Sequence, residues 1–286
     1  MTKENRIDIF NETVRNCKDC FYTNNNGEEI SIDGQKKMMD DTIFYGKKIS
    51  IQPSEKKFET NIMVVNDDTL YAAKKFLSEG TTAVLNMASF HTPGGGVTRG
   101  SSAQEESLFR RTNLHKSLYQ FHYVGDEYGI PQREERYPLQ TTYGAIYTPN
   151  VTVFRNVERD GCEFLDEPYK VNVITMAAIK QPPINEDGTI ADWAKDILRK
   201  KVAQMLSIGY VNGNENLILG AFGCGAYGTP PNEMAKIFHE VIYSDTYYWL
   251  FKNICFAIFE DGNAFKKHNP QGNLKPFMDV FKKKNS

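Results

Sequence analysis

A chain of 286 residues in which 40% are hydrophobic and 12% aromatic carries enough apolar side chain for a sizeable core, which excludes global disorder. Its 34 basic and 36 acidic side chains leave a formal net charge of -2, so no basic field marks a nucleic-acid groove or an anionic membrane surface, and an anionic ligand must be held by local groups. The longest strongly apolar stretch, 254–259, falls far below the roughly 20 residues of a membrane-spanning helix, and the opening Met-Thr-Lys-Glu-Asn-Arg shows no apolar signal region.

The first element is a helix with Ile7, Ile9, Phe10 and Val14 roughly on one face, followed by Cys17 and Cys20 as a single C-x-x-C. One such pair, with no second pair and no nearby histidine, is half of a structural zinc site; solvated or half-buried thiols are the better reading, and no metal is assigned. Five cysteines in all, an odd number, fit reduced thiols in an intracellular setting, cytoplasmic or, in a eukaryote, nuclear. The polar turn Asn24-Asn25-Asn26-Gly27 and a short alternation through Ile30 and Ile32 complete a region without evident chemistry. Residues 1–55 are read as an N-terminal helical extension, a lid or flank, and 56–286 as the catalytic domain.

From about residue 60 short apolar runs alternate with amphipathic stretches, the pattern of a layered α/β domain. Strands are expected at 62–65, 82–85, 145–147, 171–175, 217–219 and 254–258, each apolar throughout and so buried on both faces of a central sheet. Helices fit at 68–77, 104–121, 191–208 and 232–243. The basic end Lys282-Lys283-Lys284 reads as a solvated tail.

The most informative segment begins at the strand ending in Leu85-Asn86 and continues through Pro93-Gly94-Gly95-Gly96-Val97 to Gln104-Glu105-Glu106, which opens a helix. Three glycines between a strand and a helix let the backbone take positive φ and let a ligand come close, with their N–H groups lining an anion site. A diphosphate suits such a site because backbone donors need no net positive charge. The segment is no P-loop, since no Gly-Lys-Ser/Thr follows. A plain strand-to-helix turn remains the competing reading. Glu105 has its own alternative: Ser102-Ala103-Gln104-Glu105 and Ser101-Ser102-Ala103-Gln104 both match a capping box. Glu106 lies one residue beyond the box and about 100° further round the helix. Beside bound phosphates and a second glutamate its protonated form is favoured, the state a general acid needs.

At these residues the chain resembles the poly(ADP-ribose) glycohydrolase family, microbial branch, whose signature is a GGG loop followed after a short spacer by QEE. Seven residues separate Gly94-Gly95-Gly96 from Gln104-Glu105-Glu106. Val84-Leu85-Asn86-Met87-Ala88-Ser89 and Leu219-Gly220-Ala221-Phe222-Gly223-Cys224-Gly225-Ala226-Tyr227 share the likeness, which spans about 60–265. The resemblance implies a macrodomain-like three-layer α/β fold, a central mixed sheet flanked by helices, with ADP-ribose in a cleft at the carboxyl ends of the strands.

It further implies Glu106 as the catalytic acid/base and Glu105 as a holder of the ribose hydroxyls. Gly94, Gly95, Gly96 and Val97 would contact the diphosphate and distal ribose, with Gln104 and Asn86 beside them. The loop of Phe222, Gly223, Cys224, Gly225, Ala226 and Tyr227 would wrap the phosphates from the other side, Tyr227 standing where many members carry phenylalanine. Taken on its residues alone, that loop is equally a tight strand-to-helix turn with Cys224 as a small buried residue. Ser89 replaces the second asparagine of many ADP-ribose-binding macrodomains, which favours the glycohydrolase branch over a reader. Asp67 or Asp68 is a candidate for the adenine amine, or a helix cap; Phe265 is a candidate for adenine stacking, or core packing.

Two adjacent glutamates cannot flank a sugar from opposite faces as paired glycosidase carboxylates do. Glu106 is therefore expected to protonate the departing 2′-oxygen and then activate water, with no metal or redox cofactor. Expected partners are ADP-ribose, its polymer and ADP-ribosylated proteins, met by a monomer without membrane contact. The alternatives are a hydrolase of single ADP-ribose units on protein or nucleic acid, and a non-catalytic ADP-ribose-binding domain.

Overall fold

The computed structural model describes residues 1–52, 56–139, 142–260, 262 and 264–282. The described residues begin with α1 (Lys3–Asp19), capped by the Thr2 hydroxyl and ended by Cys20 in the left-handed region. A hairpin of β1 (Phe21–Thr23) and β2 (Glu29–Ser31), then α2 (Gln35–Asp40) and β3 (Ile43–Tyr45), follow. The rest runs β4 (Asn61–Val65), α3 (Thr69–Phe76), β5 (Thr82–Met87), α4 (Gln104–Arg111), α5 (Leu114–Leu118), α6 (Val124–Glu127), β6 (Ala145–Arg155), β7 (Phe164–Met176), α7 (Asp192–Val211), β8 (Asn216–Leu219), α8 (Pro231–Ile242), β9 (Asn253–Ala257) and α9 (Leu274–Val280).

One mixed sheet takes the order β3-β6-β7-β5-β8-β9-β4. From β7 to β4 the strands are parallel, while β6 runs against β7 and β3 against β6. Alternate residues of one strand divide between the two layers: Ala83 and Leu85 join the side of α7, α8 and α9, Val84 that of α1, α3, α4 and α5. Leu198, Val202, Phe238 and Phe256 fill the first layer, Phe10, Leu70, Phe109 and Leu118 the second. Each such side chain contributes about 1.5–3 kcal/mol by leaving water.

All six expected strands are present, and so is the three-layer mixed α/β arrangement, but β4, at the edge of the sheet, is half-buried rather than covered on both faces. Three differences have local causes. The helix expected at 104–121 breaks at Thr112, whose backbone is extended and bridges Val153. There Thr112 Oγ1 donates to Leu108 O and accepts from Leu114 N, and Asn113 Oδ1 accepts from Thr152 N; short polar side chains compete with the helical ladder. β6 and β7 are 11 and 13 residues long, far beyond their apolar runs, because they continue as an antiparallel hairpin past the core. Finally, β3 pairs with β6 inside the segment read as an extension, so the division at residue 55 cuts the sheet itself; a three-residue edge strand is too short to show alternation. Glu55, and Lys283 and Lys284 of the basic tail, lie outside the described residues.

The N-terminal helix is fastened by buried polar bonds. Thr13 Oγ1 donates to Arg110 O at 2.5 Å and accepts from Arg155 Nε at 3.0 Å. Thr13→Val keeps the shape but strands a buried carbonyl and a guanidinium N–H, which costs about 1–3 kcal/mol. The urea midpoint should fall accordingly; an unchanged midpoint would show that α1 is not held by these bonds.

Candidate active site

Beyond β5 the chain loops through 88–103 and enters α4, whose first turn carries Gln104, Glu105 and Glu106. The N-cap position is Ala103 and no side chain caps it, so neither capping box forms. Gln104 instead fastens the helix start to the strand: Oε1 accepts from Met87 N at 2.9 Å and Nε2 donates to Leu85 O at 2.6 Å. Glu105 Oε2 accepts from Ser89 N at 2.7 Å, and its Oε1 from Gly94 N at 3.0 Å and Asn86 Nδ2 at 3.5 Å. Glu106 Oε1 accepts from Gly96 N at 2.9 Å. Glu106 Oε2 is buried and has no hydrogen-bond partner among the described residues.

The glycine loop thus serves the carboxylates first. Gly94 and Gly96 give their amides to Glu105 and Glu106, Gly95 N donates to Thr92 O, and Val97 N to Gly94 O. The four amides expected to hold a diphosphate are each engaged by a protein acceptor. Gly95, at φ +54, passes between the acids: a Cβ there would lie 2.6 Å from Glu106 Oε1 and 3.2 Å from Glu105 Oε2.

Glu105 is 3% exposed, and among the described residues no cation stands in ion-pair range of either acid. Backbone amides, the side-chain amide of Asn86 and the N-terminus of α4 supply the compensation. Burial outweighs the amides of Ser89 and Gly94, and with the adjacent Glu106 charge it pushes the Glu105 carboxyl up from 4.5 to about 8. Glu105 therefore retains its proton at neutral pH. Asn86 stands behind Glu105, fully buried, with Nδ2 also 3.3 Å from Thr175 Oγ1.

The second loop joins β8 to α8, with Pro231 in the first turn of the helix as its sequence suggests. Gly223, at φ +78, packs where a Cβ would meet Ala178 Cβ at 2.8 Å. The amides of Gly223, Gly225, Ala226 and Tyr227 make no hydrogen bond to the described residues. The Tyr227 hydroxyl accepts from Phe90 N at 2.8 Å, so the residue joins the two loops. Cys224 points away, its carbonyl accepting from His268 or Asn269.

Both loops face a cavity of about 530 Å³. It brings together Gly95, Gln104, Glu105, Glu106, Phe222, Gly223, Gly225, Ala226 and Tyr227, with Asp67 and Asp68 at the far end. Asn86, Gly94, Gly96, Val97 and Cys224 support it from behind rather than line it. Asp68 is the cap of α3, accepting from Leu70 N and Tyr71 N, and pairs with Arg111 at 2.8 Å. Asp67 pairs with Lys75 at 2.8 Å. Phe265 does not line the cavity and is 67% exposed; Phe259, just beyond β9, does line it. Its place at the carboxyl end of the last apolar run was the available signal. Arg6, Glu158 and Arg159 complete the wall near Asp67, and nothing in their local sequence marks them.

A family model described as microbial-type PARG (poly(ADP-ribose) glycohydrolase), catalytic domain, matches residues 11–156, just over half of the chain and inclusive of both signature motifs. A search of curated proteins finds no match. Among solved structures, the poly(ADP-ribose) glycohydrolase of Thermomonospora curvata bound to the inhibitor ADP-HPD is similar at 29% identity and TM-score 0.75, over 96% of this chain and 99% of that one. The poly(ADP-ribose) glycohydrolase of Deinococcus radiodurans in complex with ADP-ribose is similar at 25% identity and TM-score 0.65, over 88% of this chain and 98% of that one.

The raised Glu105 carboxyl has a signed effect on stability. Between pH 4.5 and about 8 the native state keeps a proton that the unfolded chain has released. This group's contribution is thus fully present below 4.5 and lost as pH rises towards 8. Glu105→Gln, neutral throughout, should lack that component. Urea unfolding at pH 5 and pH 8 checks it: parallel pH dependence in both proteins would refute the assignment.

Proposed function

The chain belongs to the microbial-type poly(ADP-ribose) glycohydrolase family, and on that premise we infer how its own residues carry out the hydrolysis of poly(ADP-ribose). Its fold and both signature motifs are those of the family. The observation that carries the mechanism is Glu106: one carboxyl oxygen is fixed by Gly96 N, and the other is partnerless at the wall of a cavity sized for a nucleotide. A domain that only bound ADP-ribose would need no such group.

The terminal ADP-ribose unit lies along the cavity, its diphosphate against the uncommitted amides of the 223–227 loop and its adenosine towards Asp67 and Phe259. Backbone donors hold the phosphates, which suits a chain with a net charge of -2. The Glu106 carboxyl gives its proton to the 2′-oxygen of the neighbouring unit as the C1″–O bond breaks and its electron pair leaves with that oxygen. The ribose passes through an oxocarbenium-like state. Glu106, now a carboxylate, takes a proton from the water that adds to C1″, and is restored. Glu105, bound to the amides of Ser89 and Gly94, orients the ribose hydroxyls and keeps the loop closed around Glu106.

ADP-ribosylated proteins are the proposed carriers of the polymer, and a monomer the proposed acting species. Five free cysteines support a reducing, cytoplasmic setting. Among the described residues no helix is long and apolar enough to cross a membrane.

Glu106→Gln should fold, bind ADP-ribose nearly as well as wild type, and lose turnover of labelled poly(ADP-ribose) by roughly 100- to 10,000-fold. Near wild-type release of ADP-ribose would overturn the catalytic assignment. Gly95→Ala must displace one carboxylate or the loop, and should lower turnover at least about tenfold with only about 1–2 kcal/mol of lost stability. A fully active Gly95→Ala protein would show that the spacing between the acids does not matter.

A further inference from the structure

We propose that the shallow groove formed by Phe44, Tyr45, Lys47, Lys48, Arg136 and Pro138 is a second subsite, which takes the leaving side of the poly(ADP-ribose) chain. The inference rests on the direction of cleavage proposed above. Adenosine lies at the β9 and β4 end of the sheet, and the acid that meets the scissile bond stands beside β5. The rest of the polymer must therefore leave towards β7, β6 and β3. The register sets Met87, Met176, Ala145 and Tyr45 in one row across β5, β7, β6 and β3, so Tyr45 stands at the same sheet edge as the active site. Three strand spacings separate the two, about 14 Å.

The groove begins where that row ends, with a cavity of about 680 Å³. Lys47, Lys48 and Arg136 line it, and among the described residues none of the three is in an ion pair. The acidic Glu135 lines it too, leaving a local excess of positive charge in a chain whose overall charge is -2. The rings of Phe44 and Tyr45 divide between the two layers, Phe44 against Phe121 and Tyr45 with its hydroxyl accepting from Asn212 Nδ2 at 3.0 Å, so the cations are the groups left to meet a flexible polyanion of diphosphates. The groove is also joined to the catalytic loop. Leu139 N, just past Arg136 and Pro138, donates to Phe90 O at 3.2 Å, and Phe90 N is held by the Tyr227 hydroxyl at 2.8 Å. A polymer leaving the Glu106 end would thus pass over Phe90 into a basic groove.

The test compares two substrates: poly(ADP-ribose) of defined length, and ADP-ribose carrying a small phenol at C1″. A triple variant, Lys47→Glu, Lys48→Glu and Arg136→Glu, should raise KM for the polymer about tenfold or more and flatten the rise of KM with added salt. It should leave turnover of the phenol substrate and ADP-ribose affinity as in wild type, which also verifies folding. The milder Lys47→Gln, Lys48→Gln and Arg136→Gln variant should fall between. Wild-type KM and salt dependence on polymer in both variants would overturn the subsite. So would a loss confined to a mono-ADP-ribosylated protein, since the groove would then read the carrier and not the polymer. Absence of polymer cleavage by the wild type would instead refute the function on which the subsite rests.

Discussion

Two adjacent carboxyl groups buried without a cation are the constraint around which this molecule is arranged. Placing acids in a low-dielectric wall is costly unless hydrogen bonds and dipoles replace the lost water. Here the donors are the amides of Ser89, Gly94 and Gly96, presented by a loop that can reach them only because Gly95 has no Cβ. Compensation is deliberately incomplete in effect: Glu105 remains protonated well above the usual carboxylate range, and one oxygen of Glu106 has no partner. A fully satisfied or cation-paired acid would hold its negative charge firmly and be a poor proton donor. In the proposed reaction, the same arrangement that makes the site costly to fold leaves it a carboxyl free to deliver a proton.

This constraint reorders the roles of the glycine residues. The triplet resembles an anion cradle, and its sequence alone suggests that the amides meet phosphate. In the folded chain two of those amides are spent on the protein's own carboxylates and the third on Thr92 O, and the uncommitted ones lie across the cavity at 223 and 225–227. Two Gly-rich loops of similar appearance therefore do different work, one holding acids and the other presenting bare N–H groups. Tyr227 couples them through Phe90 N, a bond that spans the cleft between the two loops.

Much of the sheet was legible because short, wholly apolar runs have few other homes than a two-sided buried strand. The GGG and QEE motifs led to Gly95, Glu105 and Glu106, and the second glycine loop to Tyr227, all of which line one cavity. What escaped was information that exists only after folding. A three-residue edge strand has no period to detect, and β3 borrows its register from β6. Thr112 and Asn113 look tolerable in a helix until their side chains find Leu108 O and Thr152 N. Phe259, unlike these, carried a signal, its place at the carboxyl end of the last apolar run, whereas Phe265 lies six residues beyond that run and is exposed. Asp68 looked suited to a ligand, but its carboxylate is divided between the cap of α3 and Arg111.

The buried arginines explain why the N-terminal helix belongs to the site it does not touch chemically. Arg110, at the end of α4 and fully buried, donates to Ser101 O, closing the loop that carries Gly96 back onto the helix it feeds. Its other side meets Glu158, which also binds Arg6 of α1, and its own carbonyl accepts from Thr13. Arg155, at the end of β6, reaches Thr13 and Glu12 from the opposite direction. A helix that reads as a flank is thereby bonded to both the element carrying the acids and the strand beside it. Loosening α1 would strip the buried Arg155 guanidinium of Thr13 and Glu12 and leave the Arg110 carbonyl without its donor, a penalty large enough that the helix and the loop that feeds α4 should order together. Precision at Glu106 therefore depends on residues a hundred positions away in the chain, joined through three arginines and a threonine.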